Sequence, residues 1–223
     1  MRLWRFIDPL NDAFARAGGR GTWYQPGEGK PSERVRPLII EWEPGSDVIG
    51  NFTWPGLGII VTESVGRALS DRFRGFELGP VEMVQDAKLK RPQRVTRRTK
   101  PRVWLPYEGP PLYDLWVTAW VTADLEQSTL NLKEAEVGTD TARYQLEGHE
   151  RIEYFGVFPD LVRKRIPREP GKGVYAPEKE LRHADIFHLR QIPGWVFCTD
   201  AVRDFVLESK FTNVDFFEMG ETF

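Results

Sequence analysis

Two segments of the chain, residues 55–83 and 193–219, carry the same pattern of hydrophobic and polar positions. Each opens on Pro-Gly (Pro55-Gly56, Pro193-Gly194) and runs through a short apolar stretch, Gly58-Ile59-Ile60-Val61 or Trp195-Val196-Phe197-Cys198. Each then reaches a Thr followed by an acid, Thr62-Glu63 or Thr199-Asp200. This predicts a strand feeding a helix, because Thr can accept the backbone N–H groups left over at a helix start and a first-turn acid faces the positive end of the helix dipole. Beyond the Thr, Val65, Ala68 and Leu69 recur at i, i+3, i+4, and Val202, Phe205 and Val206 do the same. Each helix should therefore bury one face. Both helices close on similar residues, Phe73-Arg74-Gly75 and Phe211-Thr212-Asn213, with Gly and Asn suited to the left-handed conformation after a helix end. The alternating Phe76-Glu77-Leu78 and Val214-Asp215-Phe216 follow as half-buried strands. Two strand-helix-strand units are predicted, by duplication or by equivalent role; two ordinary segments sharing capping chemistry give the same pattern.

Between the units the chain is expected to be strand-rich and antiparallel. Val103-Trp104-Leu105, Leu115 through Val121 and Leu130-Asn131-Leu132 hold β-branched or aromatic residues, separated by breaks such as Glu108-Gly109-Pro110-Pro111. Leu38 through Glu43 reads as a further strand ended by Pro44-Gly45. Gly18 to Ser32, rich in Gly and Pro, and Arg163 to Gly173, with Pro167, Pro170 and five basic residues, read as loops. Strands clustered without regular strand-helix alternation favour an α+β fold over a doubly wound one, and 1–223 reads as one domain because no linker demands two.

Composition narrows the class. Hydrophobic residues at 40% and aromatics at 13%, eight of them Trp, exclude a disordered chain. No run approaches the roughly 18 apolar residues of a membrane span, and Arg2, Arg5, Asp8 and Asp12 break the N-terminus before a signal-peptide core forms. A cytoplasmic protein with no membrane partner is expected. One cysteine, Cys198, allows neither an internal disulfide nor a cysteine-cluster zinc site.

Charge adds one feature. Lys88 to Arg102 contains Lys88, Lys90, Arg91, Arg94, Arg97, Arg98, Lys100 and Arg102 and no acid, in a chain of net charge −2. Such a run suits nucleic-acid phosphates, an acidic protein surface or simple solvation. It contains no aromatic residue on which a base would stack. The remaining acids, among them Glu41, Glu43, Asp47, Glu208, Asp215, Glu218 and Glu221, either form a solvated face or mimic phosphate toward a basic partner.

Candidates for chemistry are thin. His183, Asp185 and His188 have spacings compatible with a metal, yet Ile186-Phe187 predicts a strand that sends Asp185 and His188 to opposite sides, which favours structural roles. His149 reads as a surface residue. Cys198 precedes a helix N-terminus that would lower a thiol pKa, but its counterpart in the other unit is Val61, which marks a core position. No phosphate-binding glycine loop, nucleophile elbow or metalloprotease helix occurs. No catalytic, cofactor-binding or metal-binding residue is assigned, and no enzymatic activity is expected.

The stretch Asp185-Ile186-Phe187-His188-Leu189, the strand Trp195 to Cys198 with Thr199-Asp200, and the closing Phe216-Phe217-Glu218-Met219 resemble the C-terminal signature of a bacterial family. That family comprises polymorphic-toxin immunity proteins related to the myxobacterial double-CXXCG-motif proteins, some of which confer immunity to swarm-inhibition toxins. Leu105 through Val117, Leu-Pro-Tyr-Glu-Gly-Pro-Pro-Leu-Tyr-Asp-Leu-Trp-Val, is similar to the same group. The chain departs from it at Glu134-Ala135-Glu136-Val137-Gly138, which keeps the glycine of a CXXCG knuckle and lacks both cysteines, so no zinc is expected there. The resemblance implies a non-enzymatic protein that neutralises a cognate toxin by occluding it. Arg94, Arg97, Arg98, Lys100, Glu41 and Glu43 are the candidate partner-binding residues, and a nucleic-acid-associated module using 88–102 is the alternative.

Overall fold

In the computed structural model, residues 1–20, 24–27, 30–34, 36–56, 58–94, 96–124, 126–128, 167–168, 170–171, 173–190 and 192–223 are described. The elements run β1 (Arg2–Ile7), β2 (Ala17–Gly19), β3 (Tyr24–Gly27), β4 (Lys30–Arg34), β5 (Leu38–Trp42), β6 (Phe52–Thr53), β7 (Ile60–Thr62), α1 (Glu63–Ser70) and β8 (Phe76–Val84). They continue β9 (Leu112–Val117), β10 (Trp120–Val121), β11 (Val174–Ala176), α2 (Glu178–Leu181), β12 (Ile186–Leu189), β13 (Ile192–Thr199), α3 (Asp200–Glu208) and β14 (Asp215–Thr222). Among the described residues two six-stranded sheets form, in the orders β10-β12-β13-β1-β14-β11 and β2-β5-β8-β9-β7-β6, beside a two-stranded β3-β4 ribbon. Mixed sheets with few helices make this an α+β fold.

The pairing is mixed: of the middle, expected to be antiparallel, β9 is so, while β10 and β11 join parallel ladders. β5 runs parallel to β8, β10 to β12 and β11 to β14, while the remaining ladders are antiparallel. From β12 the first sheet reads β12-β13-β1-β14-β11, and from β6 the second reads β6-β7-β9-β8-β5. In both, the first three junctions are antiparallel and the last is parallel. Registers correspond too: Leu3, Trp4 and Arg5 face Thr199, Cys198 and Phe197, as Leu112, Tyr113 and Asp114 face Thr62, Val61 and Ile60.

The two sheets share one core. Trp4, Phe6, Ile186, Val196 and Cys198 of the first sheet join Phe52, Val61, Leu115 and Val117 of the second, with Val65 and Leu69 of α1 and Val202 and Val206 of α3. The second side of each sheet has its own cluster, around Leu3, Phe187, Phe197 and Met219 in the first and Leu38, Ile40, Trp42 and Ile60 in the second. Alternation explains this: successive strand residues point to opposite faces, so Ile186 enters the shared core and Phe187 the outer one.

Reciprocal clasps tie the turn after each of these two helices to the other sheet. After α1, the backbone N–H of Arg74 donates to Asp185 Oδ2 at 3.0 Å, and Arg74 O accepts from Ile186 N at 3.1 Å. After α3, the backbone N–H of Thr212 donates to Asn51 Oδ1 at 2.9 Å, and Thr212 O accepts from Phe52 N at 3.2 Å. Asp185 O and Asn51 O then accept from Thr199 N and Thr62 N respectively. Gly75 (φ 104°) and Asn213 (φ 62°) adopt the positive φ expected after the helices.

Several local expectations need correction. Thr62 and Thr199 occupy the N-cap positions without a side-chain capping bond; Thr62 Oγ1 instead contacts Ser64 Oγ at 3.1 Å. Val103-Trp104-Leu105 is irregular, bracketed by Pro101 and Pro106, which cannot donate to a ladder, although Val103 is buried. The run Leu115 to Val121 is divided between sheets because Thr118 N and Ala119 N both donate to Gly75 O. Within Gly18 to Ser32 the described residues contribute to β2, β3 and β4, since a two-stranded ribbon has only edges and tolerates Pro26 and Pro31. Leu130-Asn131-Leu132, Glu134 to Gly138, His149 and most of Arg163 to Gly173 lie outside the described residues.

Candidate functional site

The basic run is a largely exposed coil secured at one end. Arg102 reaches the Trp42 carbonyl through its guanidinium and lies 5.5 Å from the Trp104 ring centre, while Pro101 O accepts from Gly45 N at 2.7 Å. At its tip, Thr96-Arg97-Arg98-Thr99 forms a turn. Thr99 N donates to Thr96 O at 3.0 Å, Thr96 N to Thr99 Oγ1 at 3.2 Å, and the two hydroxyls meet at 2.9 Å. Threonine hydroxyls that bond to nearby backbone stabilise such turns, and here they hold Arg97 and Arg98 at its two central positions. Arg94, Arg97, Arg98 and Lys100 are all exposed, and none forms an ion pair among the described residues. Four cations thus project from one short segment, three of them within Arg94 to Arg98.

The acidic candidates separate. Glu41, largely buried at 15% side-chain exposure, is paired with Arg20, so its charge is spent inside the fold. Glu43 is exposed. Glu218 is held by Arg168 at 2.7 Å and faces Arg2 at 3.8 Å, which leaves it poorly suited to mimic a phosphate. The structure therefore brings together the four basic candidates, and Glu41 belongs to a pair of its own.

His183, Asp185 and His188 do not converge. His183 sits exposed at φ 68° in the turn after α2, Asp185 clasps Arg74, and the His188 ring lies 4.8 Å from the Trp120 ring. His188 Nδ1 is 2.8 Å from the Trp195 carbonyl oxygen, which only accepts, so Nδ1 carries the proton. Among the described residues no group of His, Cys, Asp and Glu is arranged to hold a metal ion. Cys198 is fully buried in the shared core, and burial followed by the charge of Asp200 pushes its thiol well above the usual range, against the lowering effect of Arg203. A thiol so placed is protonated and shielded, the opposite of an activated nucleophile.

Sequence reasoning missed one feature, a cleft of about 170 Å³ bordered by β1, β13 and the connection from β6 to β7. It is lined by Arg5 and Asp8 near the end of β1, by Trp54, Gly56 and Gly58, and by Gly194 and Trp195 of β13, so both Pro-Gly segments border it. The Arg5 guanidinium lies 3.6 Å from the Trp195 ring centre, and burial lowers its pKa to about 10, which leaves it charged at neutral pH. The available signal was a lone Arg within Leu3-Trp4-Arg5-Phe6, where an alternating strand otherwise alternates only apolar residues.

No protein-family model matches the chain, and no curated protein matches it either. Among the described residues no helix is long and apolar enough to cross a membrane.

Proposed function

We propose that this chain binds a protein partner and neutralises it by occlusion, in the manner of a toxin-immunity protein. The observation that carries the reading is the Thr96–Thr99 turn, which presents Arg97 and Arg98 flanked by Arg94 and Lys100, exposed and unpaired among the described residues. Cations kept out of the fold's own ion pairs are available to an acidic partner surface, where they speed encounter and fix orientation more than they add affinity. Occlusion needs such complementarity and slow release, and no chemistry. The resemblance read in Leu105 to Val117, Asp185 to Leu189, Trp195 to Asp200 and Phe216 to Met219 points the same way.

The architecture fits a duplicated binding scaffold. The proposed duplication draws support from the common strand order, the corresponding registers and the reciprocal clasps, with β1 from the N-terminus taking in one sheet the place β9 holds in the other. Such a frame fixes the base of the basic coil at Arg102 and leaves its tip to the partner.

The reading is tested by expressing products of the genes adjacent to this one, singly and together with this chain. One should arrest growth alone and be tolerated with the chain, and the R94E/R97E/R98E variant should lose that protection while remaining folded. Growth arrest by none of them, or full protection by the variant, would count against it. Nucleic acid as the true partner would instead show as salt-steep binding to DNA or RNA that the same substitutions abolish.

A further inference from the structure

The cleft bordered by β1, β13 and the β6–β7 connection holds Arg5, whose guanidinium N–H donors have no partner among the described residues. One face of the Arg5 guanidinium rests on Trp195 at 3.6 Å, and Arg5 makes no side-chain hydrogen bond or ion pair with any described residue. Stacking on an indole serves the face of the guanidinium and leaves its in-plane N–H donors unspent. Those donors form a rigid fork matched to two oxygens in one plane. Asp8, on the same cleft, has Oδ1 engaged by Leu10 N at 2.8 Å in the turn after β1 and lies beyond ion-pair distance of Arg5.

Room exists for a ligand. A volume of about 170 Å³ is well above the roughly 10–15 Å³ that one water needs on the same measure. Gly56 (φ 94°) and Gly58 (φ 97°) adopt conformations that favour glycine, so part of the wall is bare backbone. Asp8 contributes a negative charge to the same lining, which disfavours a dianion such as phosphate and tolerates a neutral or cationic remainder.

We propose that this cleft is a binding site for a single carboxylate, clamped by the in-plane fork of Arg5 on the Trp195 platform, on a ligand with no second negative charge. The site is independent of the basic coil and of the partner that coil meets. Its carboxylate belongs either to a free small acid or to an acidic side chain or C-terminus of a protein.

The probes are N-acetylglycine and, as the uncharged control, its amide, titrated into ¹⁵N-labelled protein while the Arg5 Nε–H and Trp195 indole N–H resonances are followed. N-acetylglycine should move both saturably and the amide neither. R5K should weaken binding at least tenfold, since an ammonium keeps the charge and loses the fork. G194L should do the same without touching Arg5, because a Cβ at Gly194 meets nothing within 4 Å and a larger side chain there narrows the cleft at little cost to the fold. Saturation at micromolar acid assigns the site to a free small acid, and saturation at millimolar acid with the same Arg5 dependence assigns it to a group carried by a protein. Equal response to acid and amide, no response at Arg5, or unchanged binding in both folded variants would overturn the proposal.

Discussion

Replacing Gly75 by Ala tests the clasp that joins the first unit to the first sheet. Gly75 has φ 104°, and a Cβ there would lie 2.0 Å from the Ile186 carbonyl oxygen and within 3.2 Å of Ala184 and Ala119 Cβ. The closest atom is backbone, so no side-chain rotation relieves the collision. Arg74 and Gly75 must shift, which loosens the bonds from Asp185 N and Ile186 N to Arg74 O and from Thr118 N and Ala119 N to Gly75 O. At about 1 kcal/mol each, together with a backbone strain of about 1–2 kcal/mol, the loss comes to about 5 kcal/mol. That rivals the total stability of many domains, about 5–15 kcal/mol. Gly56 supplies the control: its φ is 94°, but a Cβ there meets nothing within 4 Å, so Gly56→Ala carries strain alone, about 1–2 kcal/mol. In urea unfolding followed by Trp fluorescence, with a slope of about 2–3 kcal/mol/M, G75A should unfold roughly 2 M earlier than wild type and G56A less than 1 M earlier. Equal midpoints for the two variants would refute the argument that the Arg74–Asp185 clasp bears on stability.

Three further outcomes are expected. Because Cys198 is buried and its thiol held protonated, an aromatic disulfide reagent should label it at the rate of unfolding; fast native-state labelling would contradict its placement. Burial alone would raise the Asp200 pKa, but hydrogen bonds from Trp4 Nε1 and Arg2 N, with the charges of Arg2 and the N-terminus, outweigh it and hold the carboxyl below the usual range. A depressed carboxyl stabilises fully above its unfolded value of about 3.9 and loses that contribution as pH falls through the folded value, so D200N should flatten the acid limb of a stability–pH curve below about pH 4. Leu115, 1% exposed, and Val202, fully buried, both lie in the core shared by the sheets, so L115A, costing about 2–5 kcal/mol, should shift one common transition seen by both CD and Trp fluorescence. Two separated transitions would show that the sheets unfold independently.

What was legible in the sequence was local. The helices start at Glu63 and Asp200 and turn at Gly75 and Asn213, where capping and left-handed residues are chosen by the nearest few peptide groups. Pairing partners are chosen at distances a linear pattern does not carry. Nothing around Arg2 to Ile7 announces that this strand lies between β13 and β14, close to the far end of the chain, or that Leu115 to Val121 changes sheet at Thr118. The side-chain capping bond expected of Thr62 was lost to competition, since its hydroxyl meets Ser64 and Asn51 instead. At the candidate site the charge of Arg94, Arg97, Arg98 and Lys100 was plain, while the turn that presents Arg97 and Arg98 depends on Thr96 and Thr99, to which the charge pattern gave no weight. Glu41 looked equivalent to Glu43 until the fold set Arg20 beside it. The Arg5 cleft needed Trp195, 190 positions away in sequence by residue number, and no local rule joins them.

The central claim, a protein partner engaged through the basic coil, is tested most directly by affinity capture from the native host. Tagged wild type and R94E/R97E/R98E would be compared side by side after nuclease treatment, with quantitative mass spectrometry of the eluates. The account predicts one near-stoichiometric protein on the wild type, reduced at least tenfold on the variant. The same protein at equal amounts on both, or a wild-type eluate whose binding disappears with the nucleic acid, would contradict it.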